Sequence, residues 1–90
     1  MKLTKIYCGS NNETGILEMD IILEVLNRRI SSYTIIKAKG RYNGKSEDTA
    51  IIEIYGNYNL GIVPSLQQEL KQEHILVVEF IVNTNIKDND

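Results

Sequence analysis

Four cationic side chains lie within nine positions of a chain that is acidic overall, and they have the clearest capacity for chemistry. They are Lys37, Lys39, Arg41 and Lys45. The positions between and beside them hold Gly40, Tyr42, Asn43, Gly44 and Ser46. These add an aromatic ring for stacking, hydrogen-bonding side chains, and glycines that let a ligand approach the backbone. Because lysine and arginine bind phosphate through charge and hydrogen bonds, the cluster predicts a site for a small phosphate-bearing ligand, most simply a nucleotide.

The same cluster has a second explanation, in the stability of a sheet. Lysines on an edge strand block aggregation, and Glu47 and Asp48 can neutralise them across a hairpin. The sequence leaves both explanations open.

No set of residues specifies a reaction. His74 is the only histidine and Cys8 the only cysteine, so neither has the partners that a metal site or a disulfide needs. The neighbouring carboxylates cannot be paired as acid and base from their positions. The loop at 9–15 precedes a helix and could offer N–H groups to phosphate, but it lacks the spacing of known phosphate-binding loops. We therefore predict no catalytic residue, no cofactor and no metal.

The cationic cluster is predicted to sit on a β-hairpin. Asn43-Gly44 lies between β-rich segments at about 32–39 and 48–55, and this dipeptide is the strongest short-range hairpin signal. Alternating polarity predicts a first strand at 2–8, and an apolar run predicts a last strand at 74–82. Apolar residues at helical spacing predict one helix before the hairpin and one after it.

This order, β-α-β-β-α-β, predicts an α+β ferredoxin-like sandwich. Its four-stranded antiparallel sheet would have the order 4-1-3-2, with both helices on one face. A chain of 90 residues suits one domain. We assign residues 1–83 to that domain and 84–90 to a flexible C-terminal tail.

Alternation along the strands assigns side chains to the two faces of the sheet. The helix-covered face is predicted to hold Ile6, Cys8, Ala50, Ile52, Ile54, Leu76, Val78, Phe80 and Val82. The opposite face is predicted to hold Tyr7, Ile51, Tyr55, Ile75, Val77 and Ile81. Scattered surface hydrophobes are one explanation, but so apolar a face is seldom left in water. We expect a homo-oligomer interface formed by Tyr7, Ile51, Tyr55, Ile75 and Val77.

The register of the hairpin has two solutions. A strict two-residue turn pairs Ile36 with Ile51 and points Lys37 toward the helices, whereas a bulge at Gly40 points Ile36 and Ala38 there instead. We favour the bulge because it keeps the lysines out of the core.

The composition limits the classes of partner that we expect. The net charge is −2, so we expect neither nucleic acid nor an anionic membrane as a partner. The amino terminus has no apolar signal region, and no apolar run approaches the length of a membrane span. We expect a cytoplasmic protein.

The hairpin also carries a resemblance. Gly40, Tyr42, Gly44 and Glu47 form Gly-x-aromatic-x-Gly-x-x-Glu, followed by the apolar segment at 51–54 and the Gln-Glu step into the last strand at 72–78. Together with Ile6, Tyr7 and Gly9, this pattern resembles that of small uncharacterised ferredoxin-like proteins of phages and their hosts. In those proteins the position of Tyr42 more often holds tryptophan. The resemblance implies a fold and a phage setting. In fold, the chain is also similar to nitrogen-regulatory signalling proteins, which bind nucleotides between subunits.

We therefore predict a non-enzymatic, oligomeric module that binds a nucleotide or another phosphate-bearing signal. In a phage, it would sequester a host defence signal. The alternative is a protein-interaction module that inhibits a host protein through its apolar sheet face, and a small hydrolase comes third.

Overall fold

The computed structural model describes residues 1–57 and 61–83. Its elements, in chain order, are β1 (Lys2–Cys8), α1 (Met19–Arg29), β2 (Thr34–Tyr42), β3 (Lys45–Tyr55), α2 (Ile62–Leu70) and β4 (Leu76–Ile81). The four strands form one antiparallel sheet in the order β2-β3-β1-β4. This is the predicted βαββαβ ferredoxin-like fold, with the predicted strand order read from the other edge. The hairpin strands are longer than predicted, and β4 is shorter.

The helices follow from apolar spacing and charge. In α1, Ile22, Val25 and Leu26 are buried, and Asp20 at the amino end with two arginines at the carboxyl end complements the helix dipole. In α2, the buried residues are Ile62, Leu66 and Leu70. Both helices pack on one face of the sheet, where the strands contribute Ile6, Cys8, Ala50, Ile52 and Ile54 to the core, as predicted.

The facing of β4 is the reverse of the prediction. Val77 pairs with Ile6, so Val77 and Ile75 pack against the helix-side core. Leu76, Val78 and Phe80 therefore lie on the opposite side with Tyr7. Two of the five predicted interface residues, Ile75 and Val77, are thus core-packing residues. The reason is that β4 is apolar on both sides, so alternation cannot reveal which side faces inward.

The predicted bulge at Gly40 is also wrong. The ladder between β2 and β3 is continuous: Ile36 pairs with Ile51, and Tyr42 with Lys45. The turn residues Asn43 and Gly44 have φ of 50° and 77°, as a strict two-residue type I′ turn requires. This register points Lys37 and Lys39 to the helix side, but both are exposed there, so the register does not bury them.

The side of the sheet away from the helices is called here the free sheet face. It includes Leu3, Lys5, Tyr7, Ile36, Ile51, Glu53, Tyr55, Leu76, Val78 and Phe80, and it continues toward the hairpin turn through Thr49, Glu47 and Tyr42. Several of its large apolar side chains are substantially exposed: Ile36 by 42%, Tyr55 by 55%, Leu76 by 61% and Phe80 by 43%. The predicted positions of Tyr7, Ile51 and Tyr55 on this face are confirmed.

The two ends of the described fold meet at one edge of β1 and β4. The Val82 amide donates to the Met1 carbonyl at 2.8 Å, and the Met1 amino group donates to the Val82 carbonyl at 3.2 Å. The predicted tail, 84–90, lies outside the described residues. Across 1–57 and 61–83, no helix combines the length and hydropathy needed to span a membrane.

Candidate functional site

The hairpin register distributes the predicted site residues over both sides of the sheet. Lys37, Lys39 and Arg41 point to the helix side, and Tyr42 and Lys45 point to the other. Lys39 forms an ion pair with Asp48 across the ladder, as the stability explanation of the cluster expected. The four cationic side chains are therefore divided between the two sides of the sheet.

Part of the predicted cluster does line a cavity. A space of about 500 Å³ lies between the hairpin and the β1–α1 loop. Its walls include Lys39, Tyr42, Asn43, Lys45 and Ser46. Glu47 and Asp48 line it as well, so the two lysine charges face two carboxylates. Lys37 lines a separate pocket of about 370 Å³, and Gly40, Arg41 and Gly44 line neither.

A second cavity, called here the acidic cleft, has a volume of about 460 Å³ and meets the free sheet face at Tyr7 and Leu76. Its lining residues are Tyr7, Gly9, Asn12, Tyr42, Glu47, Thr49, Gln72, Glu73, His74 and Leu76. Among these described residues are two carboxylates, an imidazole and two tyrosines, with no lysine or arginine. Volumes of about 300–1,000 Å³ are typical of small-molecule sites.

The β1–α1 loop, the segment after α2 and the hairpin strands β2 and β3 contribute most of the acidic cleft, and two buried polar side chains hold these segments together. The Ser10 hydroxyl donates to the Asp48 carbonyl at 2.8 Å, which ties the β1–α1 loop to the hairpin. Gln72 Nε2 donates to the Ser10 carbonyl at 2.6 Å, which ties the segment after α2 to the same loop. Ser10 is 4% exposed and Gln72 9%. This Asp48–Ser10–Gln72 bridge fixes the relative positions of the segments that carry Glu47 and Glu73.

Gly9 gives Glu47 room at the edge of the cleft. A Cβ atom at Gly9 would lie 2.8 Å from Glu47 Oε1 and 3.0 Å from Oε2. The carboxylate therefore rests against the backbone at a place that any side chain would occupy. A glycine at this position lets the Glu47 side chain lie where it does.

In the β1–α1 loop, the N–H groups from Glu13 to Ile16 donate to acceptors within the loop itself. Asn11 Oδ1 accepts from the Glu13 and Thr14 amides at 2.7 and 3.2 Å. The Gly15 amide donates to the Asn11 carbonyl, and the Ile16 amide donates to Thr14 Oγ1. These N–H groups are used within the loop, so they are not available to a ligand.

The remaining reactive groups do not add a catalytic set. Burial raises the pKa of the Cys8 thiol to about 12, so the thiolate needed for nucleophilic attack is suppressed. Within the part of the chain that the structure describes, no three histidine, cysteine or carboxylate side chains come together as a metal site.

Sequence reasoning missed most of the acidic cleft. In the sequence, Gly9, Glu47, Gln72, Glu73 and His74 have the appearance of ordinary loop and helix-end residues. One signal in the sequence could have identified them: the motifs that carry the family resemblance include Gly9, Glu47 and the segment at 72–78. The fold brings those three separated segments to one end of the sheet.

No protein-family model matches the sequence, and no curated protein matches it. Solved structures do match. A DUF3240 family protein from Shewanella baltica OS155 has a TM-score of 0.63 at 12% identity, over 98% of this chain and 97% of that one. A phage SAM lyase in its apo state has a TM-score of 0.64 at 17% identity, over 88% of this chain and 78% of that one.

The same phage lyase in complex with S-methyl-5′-thioadenosine gives a TM-score of 0.61 at 16% identity, over 88% and 79% of the two chains. A nitrogen regulatory PII-like protein from Thiomonas intermedia K12, bound to ADP, AMP and bicarbonate, gives 0.55 at 17% identity, over 96% and 98%. At these identities the likeness establishes a shared architecture: the chain has the small ferredoxin-like fold that these proteins have in common.

Proposed function

We propose that this protein binds S-adenosylmethionine in the acidic cleft and cleaves it as a lyase. The observation that carries the proposal is the charge of the cleft: Glu73 and Glu47, the latter shared with the hairpin cavity, line it, and none of its described lining residues is a lysine or arginine. Such a site favours a ligand with cationic groups over one with several phosphates. S-Adenosylmethionine carries a sulfonium and an ammonium group, whereas ADP and AMP are anions.

The other lining residues fit the rest of this ligand. Tyr7 and Tyr42 offer aromatic faces, on which an adenine ring can stack and against which a sulfonium is attracted. Gln72, Asn12 and His74 offer hydrogen-bonding groups. The phage lyase of the same fold was solved with S-methyl-5′-thioadenosine, which contains the adenosine part of S-adenosylmethionine.

The chemistry explains why a lyase can lack a familiar catalytic set. When the carbon–sulfur bond to the amino-acid chain breaks, both electrons stay on sulfur, which becomes a neutral thioether. This leaving group needs no proton, so no general acid is required. The amino-acid fragment balances by closing on its own carboxylate or by giving a proton to a base. Either route needs no co-reactant, and both depend on holding the substrate in a reactive geometry.

The test is to incubate the protein with S-adenosylmethionine and quantify S-methyl-5′-thioadenosine by chromatography. We expect product with the natural sequence, and a rate at least about tenfold lower in Glu73→Gln and Glu47→Gln, which corresponds to about 1.4 kcal/mol. Glu24→Gln is the matched control, because Glu24 is exposed on α1 away from the cleft lining. Equal rates in all three variants would contradict the role of the cleft.

A melting curve separates cleavage from sequestration. A raised melting temperature with S-adenosylmethionine recovered intact would favour a sequestering module and contradict the lyase. Neither product nor a thermal shift would contradict the whole proposal.

A second candidate is a non-enzymatic nucleotide-binding module at the hairpin cavity. The observation in its favour is that Lys39, Tyr42 and Lys45 line the 500 Å³ space, and a PII-like protein of the same fold was solved with ADP and AMP. In a phage, such a module would sequester a host defence signal.

A thermal-shift screen of mono-, di- and cyclic nucleotides tests the second candidate. A nucleotide at about 100 times its dissociation constant should stabilise the fold by about 2.7 kcal/mol. Lys45→Ala should abolish the shift, and Arg41→Ala, which does not line the cavity, should retain it. The absence of any shift would remove this site from consideration.

A further inference from the structure

We propose that the free sheet face is an interface with a second copy of this chain. The apolar residues of the face form two rows rather than a set of isolated side chains. Leu76, Tyr7, Ile51 and Ile36 form one row across all four strands, because each pairs with the next in the sheet. Phe80, Leu3 and Tyr55 form a second row across β4, β1 and β3. Small domains rarely leave a surface of this kind in water.

The charges on the face favour a copy of the same chain over a different partner. Between the two apolar rows lie Lys5 and Glu53, paired at 3.4 Å, with side chains that are 31% and 20% exposed. A positive and a negative group lie side by side near the middle of the face. A second copy, suitably rotated, places its Glu53 toward Lys5 and its Lys5 toward Glu53. The face is therefore complementary to itself in charge, as a symmetric contact requires.

Shape points the same way. Four strands about 4.8 Å apart make a face roughly 15–20 Å wide, and a second sheet of the same size covers it completely. Packed sheets lie about 10 Å apart with interdigitated side chains, which suits the large residues of the two apolar rows. The molar mass is measured without any ligand, so the contact is tested separately from the proposed activity, although Tyr7 and Leu76 belong both to the apolar row and to the lining of the acidic cleft.

The test is the molar mass in solution, measured by light scattering after size exclusion at tens of micromolar protein. We expect at least twice the 10.3 kDa of one chain. Phe80→Glu should reduce the mass to that of one chain, because a carboxylate would be buried in the apolar row. Tyr55→Glu, in the same row on β3, is a second variant and should have the same effect.

Ile81→Glu is the matched control. It lies next to Phe80 in β4, is 85% exposed, and points to the other side of the sheet. It should keep the mass of the natural protein, and circular dichroism should show that all three variants are folded. A natural protein at 10.3 kDa would overturn the proposal and leave the face to a different protein. Dissociation by Ile81→Glu to the same extent as by Phe80→Glu would also overturn it.

Discussion

At the scale of single residues, a substitution at Gly9, which lies against the Glu47 carboxylate, is expected to change ligand affinity without changing stability. In Gly9→Ala, the added methyl group would overlap the Glu47 carboxylate, which is the far end of a flexible side chain and can rotate away. We expect little change in melting temperature, because no core contact is lost. We expect weaker binding of S-adenosylmethionine, because the carboxylate has left its position.

Calorimetric titration of Gly9→Ala gives the affinity, and a melting curve of the same sample gives the stability. An unchanged affinity would show that the position of Glu47 is irrelevant to the cleft. A large fall in melting temperature would show that the carboxylate cannot move aside.

Cys8 gives a prediction about pH. Its pKa is raised by burial from 9.0 to about 12 in the folded protein. Below pH 9 the thiol is protonated in both states, so this contribution to stability is fully present. Between about pH 9 and 12 the unfolded chain releases the proton while the folded chain keeps it, so stability falls as pH rises.

Urea denaturation at pH 8 and pH 10.5, compared with the same measurement on Cys8→Ala, isolates the contribution of the Cys8 thiol. The natural protein should lose more stability over that interval than the variant loses. Equal losses would mean that the thiol is not held protonated by the fold.

The limits of sequence reasoning are clearest for the residues of the two cavities. The cationic positions from 37 to 45 are conspicuous because they are close together in the chain. Glu47 and Glu73 are inconspicuous, since each looks like an ordinary surface carboxylate, and only the packing of separate segments places both on one cavity. A site assembled from distant segments leaves no local spacing to recognise.

At the scale of elements, the Asp48–Ser10–Gln72 bridge connects the segments that line the acidic cleft. Gln72→Ala removes the donor to the Ser10 carbonyl and leaves that buried oxygen without this partner. We expect a loss of about 1–3 kcal/mol in the free energy of unfolding, together with weaker ligand binding.

Urea denaturation measures the first effect and calorimetric titration the second. Gln68→Ala is the control: Gln68 is exposed in α2, shortly before Gln72 in the chain, and its replacement should change stability by less than about 0.5 kcal/mol. Similar losses in both variants would contradict a specific role for the bridge.

The elements also show where periodicity succeeds and where it fails. The turn at Asn43-Gly44, the helices and the strand order were predictable, because each rests on a local pattern that agrees with the whole fold. The orientation of β4 was not predictable, because both of its sides carry apolar side chains. The hairpin register was misjudged because facing the helix side was equated with burial, although Lys37 and Lys39 are exposed on that side.

At the scale of the whole molecule, the stability of the fold depends on one small core between the helices and the sheet. Ile52 is fully buried at its centre, paired with Ile6 on one side and Ile35 on the other. A domain of this size has a stability of about 5–10 kcal/mol. Ile52→Asp should unfold it, because an unpaired buried charge costs several kcal/mol.

Circular dichroism and a melting curve decide the matter, with Ile16→Asp as control, since Ile16 is 62% exposed in the β1–α1 loop. Ile16→Asp should melt near the natural protein. A folded Ile52→Asp with an unchanged melting temperature would contradict the assigned core.

The meeting of Met1 and Val82 has a mechanical consequence. β1 and β4 are antiparallel neighbours whose outer ends are joined by the two backbone hydrogen bonds there. A force applied between Met1 and Val82 peels these strands apart one hydrogen bond at a time, whereas a force between Met1 and Asn43 loads the strands along their length. Single-molecule pulling should therefore give a lower unfolding force for the first pair of attachment points, and equal forces would contradict this. An enzyme that unfolds proteins by pulling on the chain just after β4 would therefore peel β4 from β1, which is the direction in which the sheet resists force least.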